Sequence, residues 1–78
     1  MLVFSGSYAR ELFKEGMKIK VRAMELATPM YAGDIGKAIG YTGNYYCMRL
    51  IDVLKELVKN GELVEVEGAY GYKQYVRA

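Results

Sequence analysis

Apolar residues along this chain recur first at helical and then at strand spacing, and the change of period sets out the elements. The most regular stretch is 41–60. There Cys47, Leu50, Ile51, Leu54, Leu57 and Val58 fall three and four apart, with Arg49, Asp52, Lys55, Glu56 and Lys59 between them. That spacing predicts an amphipathic helix with those six apolar residues inward. Asn60-Gly61 closes it, and Thr42 or Asn44 can cap its start. Upstream, residues 32–39 predict a shorter helix with Ile35, Ala38 and Ile39 inward and Gly40 at the C-terminal cap. Gly36 inside it costs about 1 kcal/mol relative to alanine, which implies a backbone close by, read here as a helix–helix contact.

The N-terminal third carries two apolar stripes. Leu12, Ile19, Ala23 and Leu26 form one, and Phe13, Met17, Val21 and Met24 run beside it. A helix with two apolar stripes is buried on more than one side, and a chain this short cannot cover both, so part of the helix is expected to meet a second subunit. Residues 17–23 also alternate with period two, as a strand does. Helix is preferred because 24–27 continue the three-four spacing, and Pro29 is expected to stop it. Ser7 can cap a helix starting at Tyr8. Residues 1–7 are an apolar lead, either frayed or serving as an extra strand or dimer contact.

Beyond Gly61 the period falls to two. Residues 62–67 and 72–77 are rich in strand formers and flank Gly-Ala-Tyr-Gly, which predicts a hairpin. Val64 and Val66 share one face, as do Tyr72, Gln74 and Val76. An odd loop of three or five residues brings those faces together and sets Lys73 opposite Glu65 or Glu67.

The order is therefore helix, helix, turn, long helix, hairpin. Residues 33–40, Gly-Asp-Ile-Gly-Lys-Ala-Ile-Gly, resemble the second-helix signature of helix-turn-helix regulators. Residues 54–67, Leu-Lys-Glu-Leu-Val-Lys-Asn-Gly-Glu-Leu-Val-Glu-Val-Glu, resemble the passage from recognition helix to wing strand in the same superfamily. Over about residues 19–77 the chain is similar to the small winged helix-turn-helix transcription regulators of bacteria, archaea and archaeal viruses, though the stretch from Gly40 to Leu50 is longer than in compact members. The resemblance implies an α+β, mostly helical single domain over residues 1–78. It would have three helices and a C-terminal two-stranded β-hairpin wing.

It also implies a sequence-specific double-stranded DNA-binding function, with the third helix (about 42–60) in the major groove and the wing on the backbone or minor groove. At the start of that helix Thr42, Asn44, Tyr45 and Arg49 offer hydroxyls, an amide and a guanidinium. Arg49 can fork onto guanine and Asn44 can pair with adenine. Lys37 on the second helix, and Tyr70, Tyr72 and Lys73 on the wing, complete the expected DNA-binding set. Each of these residues also has a plainer reading as a solvated side chain or a core-edge aromatic.

Composition narrows the chemistry. The 78 residues contain no histidine and one cysteine, which removes Ser-His and Cys-His catalysis, a zinc site and an internal disulfide. With no glycine-rich phosphate loop and no paired carboxylates in a plausible cleft, an enzyme is not expected, nor is a cofactor or metal. Cys47 reads as a small buried apolar residue. No apolar run approaches the roughly 18 residues of a membrane span, and the N-terminus lacks the basic flank of a secretion signal, so a cytoplasmic location is expected.

Net charge is +2, and the sign is uneven. Residues 1–27 carry five basic and three acidic groups, with Lys14, Lys18, Lys20 and Arg22 close together, whereas residues 50–61 balance at two and two. A long helix that is not itself basic leaves the phosphate grip to other parts of the domain, and a homodimer would double the positive surface. The alternative reading is a winged-helix module for protein contacts, without direct DNA binding.

Overall fold

In the computed structural model, which describes residues 6–78, the long amphipathic segment is helix α3, Asn44–Lys59. Leu50, Val53, Leu54 and Leu57 on it are fully buried, at the i, i+3, i+4, i+7 spacing that one helix face requires. Val53 stands at the centre of that face, where Cys47, Ile51 and Val58 were expected; those three are only half-buried. The helix is rotated because α1, Gly6–Arg22, covers its Val53 side. Its Cys47–Ile51 side faces the hairpin.

Of the two stripes on α1, the core takes the second. Met17 and Val21 are fully buried and Phe13 and Met24 pack partly against the core, while Leu12 and Ile19 are 58 % and 66 % exposed. Ala23 is exposed as well. Residues 17–22 are helical, which settles the strand alternative. The helix ends at Arg22 and not at Pro29, so the stop has another cause. Leu26 turns back into the core at 4 % exposure with φ of 44°, a left-handed conformation costing a leucine about 1–2 kcal/mol. Burying its side chain offsets that.

Arg77 then seals the end of α1. Its backbone N–H donates to Leu26 O at 2.9 Å, and its Nη2 donates to Arg22 O at 3.2 Å and to Met24 O. Free carbonyls at a helix C-terminus need such donors, and an arginine suits the negative end of the helix dipole. The expected cap at the Ser7 side chain and the expected strand or dimer contact in residues 1–5 lie outside what is described; the helix itself already includes Gly6.

Helix α2 is Ala32–Ile39, as expected, with Ile35 and Ile39 buried but Ala38 exposed. Gly40 ends it in the left-handed region (φ 86°), and the Tyr41 N–H reaches back to Gly36 O at 2.8 Å. A Cβ on Gly36 would lie 2.6 Å from Tyr41 O and 3.4 Å from Leu50 Cδ2. The glycine thus admits the backbone of the turn itself, with α3 touching behind it. Neither Thr42 nor Asn44 caps α3: the cap position is Gly43, at φ of 102°, and no side chain bonds the first turn. With that φ only glycine is unstrained there, so a capping side chain is excluded.

The hairpin pairs β2, Leu63–Glu67, with β3, Lys73–Arg77, in the register Glu67↔Lys73, which leaves a five-residue connection. Val64↔Val76 and Val66↔Gln74 share a face as expected, but it is the outer one. The inner face carries Leu63 and Tyr75, each 2 % exposed, so Tyr75 belongs to the core. The wing is also not two-stranded. Met30–Tyr31 forms strand β1 against β3, giving an antiparallel three-stranded sheet in the order β1-β3-β2. A two-residue strand has no period to read. Over the described residues the result is an α+β, mostly helical fold with three α-helices and a three-stranded antiparallel sheet.

Two glycines in α2 provide a paired test. Gly33 has open space where a Cβ would be, so Gly33→Ala should raise stability by about 0.5–1 kcal/mol. Gly36→Ala should lower it by about 1–3 kcal/mol, since backbone must shift. Urea unfolding of both variants reads the difference; a stable Gly36→Ala protein would refute the tight α2–α3 turn.

Candidate nucleic-acid interface

The tip of the hairpin is built on Tyr31. The Ala69 N–H donates to Tyr31 Oη at 2.8 Å, and a Cβ on Gly68 would fall 2.7 Å from the Tyr31 ring. The glycine therefore lets the loop lie flat on the ring. Across the loop the Tyr72 N–H donates to Ala69 O at 3.1 Å, and the Gly68 N–H returns to Tyr72 O. These bonds hold Tyr70 in the left-handed region (φ 55°), which a tyrosine adopts only when its surroundings impose it. Its ring stands 97 % exposed and Tyr72 is 68 % exposed, with Lys73 next to them at the start of β3. A fixed loop is thus presenting two aromatic rings and an ammonium.

At the other end of the expected site, Thr42 and Asn44 are exposed at the start of α3, and Lys37 is exposed on α2. Tyr45 and Arg49 lean away from the hairpin. Tyr45 lies against Tyr46 (ring centroids 5.6 Å apart) and Phe13 of α1 (6.4 Å), in a cluster that Tyr41 completes. Arg49 sits over the Tyr45 ring at 5.3 Å, with Nη1 3.7 Å from Asp52 Oδ2 and its Nε buried without a partner. Tyr70, Tyr72 and Lys73 therefore stand apart from Tyr45 and Arg49, with Thr42 and Asn44 at the start of α3 and Lys37 on α2 in neither group.

What lies between α3 and the hairpin is a groove of about 700 Å³. Cys47, Ile51 and Lys55 form its α3 wall, and Tyr70, Tyr72 and Lys73 its hairpin wall. Sequence reasoning missed Ile51 and Lys55 as site residues. The signal was the i, i+4 row Cys47–Ile51–Lys55, whose two apolar members read as core. Deeper in, Tyr75 borders the groove, and burial, with Glu65 beside it, pushes its phenol up to about 12.

Charge is distributed differently from the linear sequence. Four of the five α1 cations are occupied internally; Arg10 joins none of the ion pairs among the described residues. Lys14 Nζ is 3.1 Å from Glu56 Oε2, Lys18 Nζ is 3.0 Å from Glu15 Oε1, and Arg22 grips Glu62 through two bonds of 2.7 and 2.9 Å. Lys20 lies over the Tyr41 ring at 4.7 Å. The Lys14 ammonium holds the Glu56 carboxyl below its usual range, and the Arg22 guanidinium does the same for Glu62. In contrast, Lys37, Lys55, Lys59 and Lys73 join none of the ion pairs among the described residues. Lys55 and Lys59 are one turn apart on α3, and Lys55 faces Lys73 across the groove.

Among the described residues no cluster of three or more Cys, Asp or Glu could hold a metal ion, and no helix is long and apolar enough to cross a membrane. No family model matches the chain, and no curated protein or solved structure is similar enough to count as a match.

The internal ion pairs give a pH dependence of defined sign. Folded values for Glu56 and Glu62 lie below the ordinary 4.5, so their contribution to stability is complete above that pH and is lost as pH falls through the depressed values. Urea midpoints should therefore decline on acidification from neutral into that range, and Arg22→Gln combined with Lys14→Gln should flatten the decline. An unchanged slope in the double variant would show that these pairs do not govern acid stability.

Proposed function

We propose that this domain is a winged helix-turn-helix that binds double-stranded DNA, with the outer side of α3 in the major groove and the hairpin loop on the sugar-phosphate backbone or in the minor groove. The observation that carries it is the placement of unpaired charge. Lys55, Lys59 and Lys73 flank the outer side of α3 beside two projecting tyrosines, while three of the five α1 cations, Lys14, Lys18 and Arg22, are spent on Glu15, Glu56 and Glu62. Unpaired ammonium groups neutralise phosphates without first breaking an internal pair.

The turn supports the same reading. Gly36, Gly40 and Tyr41 bring α2 tightly under α3, as two helices must cross if the second is to project from the domain. Thr42 and Asn44 then stand where α3 would meet the groove. Arg49 and Tyr45 complete the base-reading set once Arg49 leaves Asp52, a partly exposed pair at 3.7 Å that contributes at most about 1 kcal/mol. Lys37 adds a contact from α2.

Fluorescence anisotropy on a labelled duplex pool at graded salt tests this. Affinity should fall steeply with salt, and Lys73→Ala should reduce the slope of log K against log salt by about 1. Lys18→Ala should leave it unchanged, because Lys18 is held by Glu15. Absence of binding at low salt, or equal effects of the two substitutions, would sink the proposal.

A specific observation also favours a homodimer through α1. Leu12, Ile19 and Ala23 lie exposed on the helix stripe that the core leaves uncovered, and a two-fold axis through that stripe would bury both copies. Sedimentation should then return the dimer mass, and Leu12→Glu with Ile19→Glu the monomer mass with unchanged helical circular dichroism. A wild-type protein that sediments as a monomer at every attainable concentration would rule the dimer out.

A further inference from the structure

The groove between α3 and the hairpin has a property that phosphate binding does not explain: its interior is apolar. Ile51 and Cys47 on one wall and the ring of Tyr75 at depth leave little polar surface inside. Its volume of about 700 Å³ falls within the roughly 300–1,000 Å³ of ordinary small-molecule sites, which are likewise apolar with a few placed polar groups. A DNA backbone lying across the rim would leave this interior unused.

The rim defines the complementary charge. Lys55 and Lys73 border the groove from opposite walls, and neither has a carboxylate partner among the described residues. No aspartate or glutamate lines the groove at all. The polar side-chain groups that remain are tyrosine hydroxyls able to donate, those of Tyr70 and Tyr72 at the mouth among them. Two ammonium groups, hydroxyl donors and no anionic acceptor suit a negatively charged head, and the apolar interior suits a hydrocarbon or aromatic body.

We infer that the groove between α3 and the hairpin binds a small amphipathic carboxylate, its apolar part against Ile51 and Cys47 and its carboxylate between Lys55 and Lys73. The head group is held by charge-assisted hydrogen bonds at a partly exposed rim, so each lysine adds a modest amount to affinity. Desolvation of the apolar body supplies the larger part. A neutral ligand of the same length would keep the second contribution and lose the first. A cationic one would meet repulsion from both lysines.

The inference does not rest on the DNA reading, because it is tested without nucleic acid. Decanoate, decanol and decyltrimethylammonium are titrated into the full chain below their aggregation limits, followed by calorimetry and by amide chemical shifts. Decanoate should bind saturably by about 1 mM, in line with the affinity expected for so few heavy atoms. Shifts should centre on Cys47, Ile51, Tyr70 and Lys73. Decanol should bind about five- to tenfold more weakly and the ammonium compound not at all. Lys55→Gln with Lys73→Gln, both exposed and verified as folded by circular dichroism, should reduce decanoate to the affinity of decanol. The inference is overturned by failure of decanoate to saturate, by equal binding of decanoate and decanol, or by shifts centred on α1. A double variant that binds decanoate as tightly as the parent would overturn it too.

Discussion

One face of α3 positions α1, α2 and β2 directly, and through them the remaining strands β3 and β1. Leu50, Val53, Leu54 and Leu57 are fully buried on it, and α1, α2 and β2 all pack against that helix. A chain of 78 residues can build one core, and burial of each such side chain contributes about 1.5–3 kcal/mol towards a net stability of only about 5–15 kcal/mol. Losing any one of the four would consume a large part of that margin. The same constraint determines what is left over: with its inner face committed, α3 can offer a partner only its outer side and the flank that borders the hairpin.

The second constraint is the way the two ends of the described chain are joined. Arg77 donates to carbonyls at the end of α1, Arg22 of α1 holds Glu62, and the Ala78 N–H donates to Glu62 O at 3.2 Å. These contacts differ in strength. The Arg22–Glu62 pair is partly exposed on both sides, 43 % and 31 %, and exposed pairs contribute about 0–1 kcal/mol. Arg77 matters more, because the Met24 carbonyl it satisfies is partly buried and would lose its donor, at a cost of about 1–3 kcal/mol. The sheet is therefore fastened to α1 by a helix cap more than by its surface charges.

Local rules were enough for the elements whose pattern is complete in sequence. Helix α2 with its Gly40 terminus, the buried Leu50, Leu54 and Leu57, and a hairpin with an odd loop all follow from period and turn chemistry. Those rules allow a loop of three or five residues and Lys73 opposite Glu65 or Glu67; the structure takes five and Glu67. Other features depend on residues far apart. Two apolar stripes on α1 cannot be ranked until it is known that α3 lies against Met17 and Val21. The end of α1 at Arg22 depends on Arg77, and the brief strand at Met30 depends on β3. At the candidate site, the exposure of Tyr70, Tyr72 and Lys73 was readable from the loop. The turning of Tyr45 and Arg49 towards α1 was not, because it requires Phe13 as a neighbour.

The electrostatics bear most directly on function, and there the linear count misleads. The N-terminal third looks like the basic end of the chain, yet Lys14, Lys18 and Arg22 all face carboxylates within 4.0 Å, two of them supplied by α3 and by the residue before β2. The pairing works in both directions. It stabilises the contact of α1 with the rest of the domain, and it withdraws Glu56 and Glu62 from the surface potential. Among the residues left outside the ion pairs are Lys55, Lys59 and Lys73, which lie along the outer side of α3 and the hairpin. A phosphate backbone approaching the domain would be drawn to that side, and so would a single carboxylate. The two differ in what they need beneath the charge: a duplex needs a rim, whereas an amphipathic acid also needs the apolar interior formed by Ile51, Cys47 and Tyr75.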